Sequence, residues 1–155
     1  MQTFLPNQDF TKSAELLDWR RLGKQRVETL QILRALLWET EGWRNHPAAL
    51  MWEGYEFQLS RYGLYMCREW KRRGYNPGVT QPQLRALYNV MKEDPTAYPH
   101  AKPWWLGRKK FHQAHRRMLV WKAPNHYLGL FKDVLEVPEV KPEYWWPLRR
   151  QQRQE

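Results

Sequence analysis

The chain holds a single cysteine, Cys67, among its 155 residues. A lone thiol excludes an internal disulfide and any zinc site built on paired cysteines, and it fits a reducing, intracellular setting. No apolar run approaches the roughly 18 residues that carry a helix across a bilayer. The opening "MQTFLPNQDF" lacks the basic-then-apolar layout of a secretory signal, so the expected location is the cytoplasm. Internal repeats, low-complexity blocks and linkers long enough to divide domains are missing, and strand-like alternation is nearly so. No GxSxG, HExxH, P-loop or dinucleotide fingerprint occurs. "FHQAH" is no deaminase signature, because the second, cysteine-containing motif is not there.

What the chain does hold is positive charge and tryptophan. Lys and Arg number 26 against 16 Asp and Glu, giving a formal net charge of +10 and a pI near 9.9. Such a balance favours a polyanionic partner, since each phosphate contact releases condensed counterions. Ten tryptophans supply flat apolar rings, which fill cores and can also stack on bases or wedge between base steps. Together these features point to nucleic-acid binding.

The pattern along the chain predicts a compact, single-domain, all-α fold over residues 1–155. Residues 11–18, "TKSAELLD", read as a short helix with Thr11 or Ser13 near its cap. From Leu22 to about Trp38, Leu22, Val27, Leu30, Leu33 and Leu37 recur at three- and four-residue steps, with Gly23 weakening the first turn. "GWRNHP" is a connector punctuated by Gly42 and Pro47. Residues 48–73 form the longest helical candidate, with Leu50, Phe57, Leu64 and Cys67 inward and Gly74 placed to stop it. Further helices are expected over 81–92 and 104–122, the second closed by Pro124. "APNHYLGLF" reads as a helical turn or a structured loop. The tail from Val137 is irregular and aromatic and should wrap the body, with its last residues frayed.

Three constellations carry candidate chemistry. "RRLGKQRVETLQIL" packs Arg20, Arg21, Lys24 and Arg26 together and then a single acid, Glu28. Lys24 and Glu28 are i,i+4 neighbours, and a solvated surface ion pair worth under about 1 kcal/mol is the plain reading of them. "HQAHRRMLVWKAPNHY" offers His112, His115 and His126 without a fourth zinc ligand. A basic helix touching phosphates through His112, His115, Arg116 and Lys122 is the reading preferred, and no metal is expected. His46 in "RNHP" suits a capping or hydrogen-bonding role, and DNA contact is the function expected of it. The paired aromatics, Trp104 with Trp105 and Tyr144 with Trp145 and Trp146, are core packing or a stacking wedge.

Three of these stretches carry a resemblance: "LGKQRVE", "CREWKRRGYN", and the run holding Gln113, Ala114, Pro124 and Tyr127 at matching intervals. Through them the chain resembles the pyrimidine dimer DNA glycosylases of the phage endonuclease V type. The opening "MQTFLP", with "RLGKQRVETLQILRAL" and "GWRNHPA", looks like a bacterial and phage branch in or near that family. The resemblance implies a compact all-α domain without a cofactor, acting as a monomer on double-stranded DNA that carries a damaged or modified base. It also implies a nucleophile that is the protein's own terminal α-amine. That amine attacks C1′, displaces the base and forms a Schiff base with the sugar, after which β-elimination cuts the strand. An α-amine titrates at about 7.7 to 8.0, so a useful fraction is neutral at cellular pH. Gln2 is too large for routine removal of the methionine before it, which makes Met1 the implied nucleophile and Lys24 its substitute.

Glu28 matches the family's assisting glutamate by its distance from Leu22, and a carboxylate there can manage protons or stabilise a cationic sugar. The basic cluster of Arg20, Arg21 and Arg26 would then seat phosphates. The chain departs from the pattern at Val27 and Gln31, where the family carries basic residues, and at His115, where it carries Arg. The function expected is a DNA glycosylase with AP-lyase activity on a damaged or modified pyrimidine. A non-catalytic DNA-binding protein and a phage-type base-modifying enzyme are the alternatives on the same scaffold.

Overall fold

The computed structural model describes residues 1–148, and among them seven helices and no strand are found. The all-α expectation is therefore met. In chain order they are α1 (Phe10–Leu16), α2 (Trp19–Leu36), α3 (Pro47–Leu50), α4 (Glu56–Arg72), α5 (Thr80–Lys92), α6 (Lys109–Lys122) and α7 (Pro124–Tyr127). The expected fraying of the last residues falls on 149–155, outside the described residues.

The helix ends differ from the sequence pattern for local reasons. Asp9, rather than Thr11 or Ser13, caps α1, its carboxylate accepting the Lys12 N–H at 2.9 Å. Ser13 is buried instead, bonded through its hydroxyl to the Asn7 backbone. Residues 48–73 are not one helix. A short α3 led by His46 and Pro47 gives way to turns ending at Gly54, whose φ of +88° no continuing helix tolerates. Leu50, expected inward, ends α3 and is exposed. The later helix starts at Lys109 rather than 104, because Pro103 and Gly107 fold "WWLG" into turns. At Gly107, φ is +95°, a left-handed conformation that favours glycine.

The frame is a pair of long helices. α2 and α4 pack against each other, with Gly23 meeting the Trp70 ring and Gly63 meeting Thr29. Pairing 23 with 70 and 29 with 63 means that the two run antiparallel. A Cβ on Gly63 would lie 2.6 Å from Thr29 Cγ2, so the absence of a side chain sets how closely the helices approach. α1 and α5 flank α4, and Trp105, Phe111, Leu119 and Tyr127 bring the C-terminal half into the same core. Trp105 is fully buried edge-on to Trp52, and its indole N–H donates to the Met51 carbonyl at 3.0 Å. After α7 the chain is irregular, and Tyr144, Trp145 and Trp146 lie back on the body.

Candidate functional site

The first five residues belong to no helix or strand, and the chain is buried from Gln2 to Pro6. With no strand beside it, this segment takes its hydrogen bonds from side chains. The Phe4 N–H donates to Gln25 Oε1 on α2 at 2.7 Å, and the Leu5 N–H donates to His115 Nδ1 on α6 at 2.8 Å. Trp52 Nε1 donates to the Thr3 hydroxyl at 2.9 Å, and Arg116 donates to the Pro6 carbonyl at 2.9 Å. The Tyr62 hydroxyl lies 2.7 Å from both the Phe4 carbonyl and Gln25 Oε1, and burial lifts it well above the ordinary tyrosine range. A buried backbone needs such partners, since each orphaned group costs about 1–3 kcal/mol.

This tether delivers Met1 to the rim of a cleft of about 880 Å³. Glu28 stands inside it on α2. Its Oε2 accepts the Gln2 N–H at 3.3 Å and the Gln25 side-chain amide at 3.5 Å. Around them the cleft is lined by Arg20, Arg21, Lys24, His46, Lys122 and Lys141, and by the rings of Trp19, Tyr144 and Trp146. Five lysine or arginine side chains therefore face two carboxylates, Asp18 and Glu28, among the described lining residues. The field is positive with one acid at its centre. Lys122 feels this directly: burial, then repulsion from Arg21, Lys141 and Lys24, lowers its pKa against the pull of Glu28.

His46 caps α3, its Nδ1 accepting the Ala48 N–H at 3.0 Å, and its ring sits edge-on to both Trp43 and Trp146. Burial and the positive Met1 terminus lower its pKa, with Glu28 opposing. A ring whose Nδ1 accepts a backbone N–H is neutral. On the far side of the cleft, Tyr127 donates to the Asp18 carboxylate, which also takes Arg21 at 3.2 Å. Burial works against the Asp18 charge, but those two donors outweigh it and lower the carboxyl pKa. A locked Asp18 in turn orients Arg21 at the α2 N-terminus.

Of the residues singled out from the sequence, the structure brings Met1, Arg20, Arg21, Lys24, Glu28, His46 and Lys122 together in this cleft. No ion pair joins Lys24 to Glu28, so the plain i,i+4 surface pair does not form. Arg26, His112, His115 and Arg116 do not line the cleft, and their polar atoms are engaged within the protein instead. Arg26 turns away over the Trp70 ring and donates to the Pro77 carbonyl at 3.1 Å. His112 takes the Gly107 N–H on Nε2, which leaves Nδ1–H to donate to the Leu5 carbonyl at 2.8 Å. His115 is fully enclosed, and burial pushes its pKa down to about 3. Arg116 is fixed by Asp133 and the Pro6 carbonyl. No group of three or more His, Cys, Asp or Glu suited to a metal occurs among the described residues.

The sequence reading missed Gln2, Gln25, Asp18, His126 and Lys141 as cleft residues, and it left open whether Tyr144 and Trp146 face a site. Gln25 had a signal, being one turn before Glu28 on the same face. Asp18 had none, since its partner Tyr127 is 109 residues away.

The sequence profile of the pyrimidine dimer DNA glycosylase family matches residues 1–81, which is half of the chain and includes Met1, Lys24, Glu28 and His46. No curated protein and no solved structure matches the chain. No helix among the described residues is long and apolar enough to cross a membrane.

Proposed function

Because the chain belongs to the pyrimidine dimer DNA glycosylase family, we propose that it excises a damaged or modified pyrimidine from double-stranded DNA and cuts the strand as an AP lyase. The observation that carries this reading is the Gln2 N–H on Glu28 Oε2, because it ties the residue after Met1 to the one acid at the centre of a cationic cleft. The neutral Met1 amine attacks C1′ of an extruded nucleotide. The glycosidic bond breaks, its electron pair leaves with the base, and the base takes up a proton. Ring opening and loss of the amine proton give a Schiff base. Glu28 then removes a C2′ proton, the electrons form the C2′–C3′ double bond, and the 3′ phosphate leaves. Water hydrolyses the imine and restores the amine.

The surroundings support each part. Arg20, Arg21, Lys24, Lys122 and Lys141 offer charge to the phosphates on both sides of the lesion. Trp19, Tyr144 and Trp146 offer apolar faces for an extruded base or for the gap it leaves. No cofactor is required. Lys24, in the same cleft, is the substitute amine.

Borohydride trapping tests the reading. Labelled duplexes carrying an abasic site, a thymine dimer or neither are incubated with the protein and reduced, and any cross-linked peptide is mapped. A dimer-dependent adduct on Met1 is the expected result. An adduct on Lys24 would move the nucleophile, and one formed only with the abasic duplex would point to a different base. No adduct on any substrate, with tight binding retained, would sink the amine mechanism and leave a DNA-binding protein on the same scaffold.

A further inference from the structure

A second cationic groove lies on the other side of the α2–α4 pair. Arg61, Arg68, Lys71 and Arg72 of α4 and Arg85 of α5 line a depression of about 660 Å³, together with Tyr65 and Tyr88 and with no carboxylate in its lining. Positions 63 and 70 of α4 meet α2, whereas 61, 65, 68 and 72 fall on the opposite side of the helix at about 100° per residue. No residue is shared with the Glu28 cleft. The packed α2–α4 interface stands between the two.

Charge in this groove is arranged as a row and is only partly neutralised. Arg61, Arg68 and Arg72 climb one face of α4 over roughly 16 Å, at about 1.5 Å per residue. Phosphates along one strand of a duplex recur at about 3.4 Å along its axis, so the row spans several of them. Glu69 is turned inward and engages Arg72 and Arg73, while Arg68 and Lys71 have no carboxylate partner among the described residues. The guanidiniums of Arg61 and Arg85 lie over the Tyr65 and Tyr88 rings at 5.7 and 5.4 Å, which holds them up along the walls. The groove offers long cations and only Leu64 as an aliphatic side chain in its lining. With four arginines and a lysine and no carboxylate in its lining, it suits a regular polyanion.

We propose that this groove binds the phosphate backbone of a second DNA segment, so that one protein molecule can hold two duplexes at once, one in the cleft and one behind α4. The inference rests on the DNA reading of the cleft for its first duplex only. A straight duplex seated against Arg20, Lys24 and Lys122 cannot also reach Arg68 and Arg85 through the helix pair, so the second occupant is a separate stretch of DNA. Contacts of this kind are independent of sequence and lesion. They would let the protein pass between segments while the first is still bound.

The test uses short undamaged duplexes and the full chain at low salt. A biotinylated duplex is immobilised and saturated with protein, capture of a second, fluorescent duplex is measured, and native mass spectrometry counts the components. Capture with one chain per two duplexes is expected. The Arg68→Gln/Lys71→Gln/Arg85→Gln variant should hold the first duplex normally and lose capture of the second by about tenfold or more. These three side chains are exposed, and a melting curve confirms that the fold is kept. A cleft variant, Lys24→Gln/Lys122→Gln, separates this inference from the glycosylase reading. If the cleft does not bind DNA, that variant binds one duplex as the wild type does and the groove variant binds none, which keeps the groove and sinks the cleft. Failure of the wild type to capture a second duplex, equal capture by the groove variant, or a captured complex with two chains would overturn the proposal.

Discussion

The Gln2 backbone N–H points at Glu28 Oε2 across 3.3 Å, joining the start of the chain to the third turn of α2. The bond places a carboxylate one residue from Met1 in a cleft where every other lining side chain with a charge, apart from Asp18, is cationic or a histidine. Glu28→Gln keeps the shape and an acceptor for Gln2 but removes the charge that would take a C2′ proton. Strand cutting should fall by about 10²- to 10⁴-fold, the usual contribution of acid–base catalysis. Duplex affinity should hold or rise, because a negative charge facing phosphates is gone. Single-turnover cleavage measured beside equilibrium binding decides the point, and parallel losses in both would assign Glu28 a structural role.

Gln25 is the pivot of the tether. Its Oε1 accepts the Phe4 N–H and lies within reach of the Tyr62 hydroxyl, while its amide reaches Glu28. Gln25→Leu is similar in size and removes all three contacts, leaving the buried Phe4 N–H without an acceptor. Urea unfolding should show a loss of about 1–3 kcal/mol. Schiff-base trapping on Met1 should fall even under conditions where the variant is fully folded. Unchanged trapping would mean that the remaining bonds to Thr3 and Leu5 suffice to place the amine.

Acid should destabilise the protein through its buried histidines. His115 is neutral in the fold, with a pKa pushed from 6.5 to about 3 by burial and by the charge of nearby groups. Since the folded pKa lies below the unfolded one, the unfolded chain binds the extra proton. The stability is complete above pH 6.5 and is lost as pH falls from there toward 3. His112 is shifted in the same direction. Each fully shifted group contributes a slope of about 1.4 kcal/mol per pH unit in that window. Urea titrations between pH 7.5 and 4 measure the slope. His115→Asn keeps an acceptor for the Leu5 N–H and should flatten the slope by one proton, at the cost of lower stability at neutral pH.

Legibility in the sequence followed how local each feature is. α2, α5 and the body of α4 are legible because their apolar residues recur at helical steps and their stops are glycine or charged ends, whereas the break before Glu56, at Gly54, is not. α6 was read five residues too long because "WWLG" has helical composition, and only the turns at Pro103 and Gly107 show otherwise. Glu28, Lys24 and Met1 could be named together through family resemblance. That residues 2–6 lie buried, bonded to α2 and α6, could not, since a segment without periodicity reveals nothing about side-chain partners up to 110 residues away. The same fact accounts for where His112 and His115 go, since both rings bond the Leu5 backbone. Their i,i+3 spacing beside arginines suits a phosphate-binding face until the N-terminal segment occupies that face. Val27 and Gln31, the departures from the family pattern, are exposed, while Lys24 of the same helix lines the cleft and Arg26 does not.

Lys24 therefore carries more than its own position suggests. It lies one turn before Glu28 on α2 and contributes to the repulsion that lowers the Lys122 pKa. If it seats a phosphate, Lys24→Gln should weaken duplex binding to damaged and undamaged DNA alike and reduce the slope of log affinity against log salt by about 1. If it is instead the reacting amine, the slope should stay near that of the wild type while borohydride trapping disappears. Fluorescence anisotropy from low to moderate salt, with trapping run on the same samples, separates the two. A reduced slope with the Met1 adduct intact is the outcome expected, because Gln2 is tied directly to Glu28 whereas Lys24 forms no ion pair with it. An amine left free of the carboxylate, and surrounded by Arg20, Arg21 and Lys122, is placed to meet the backbone phosphates.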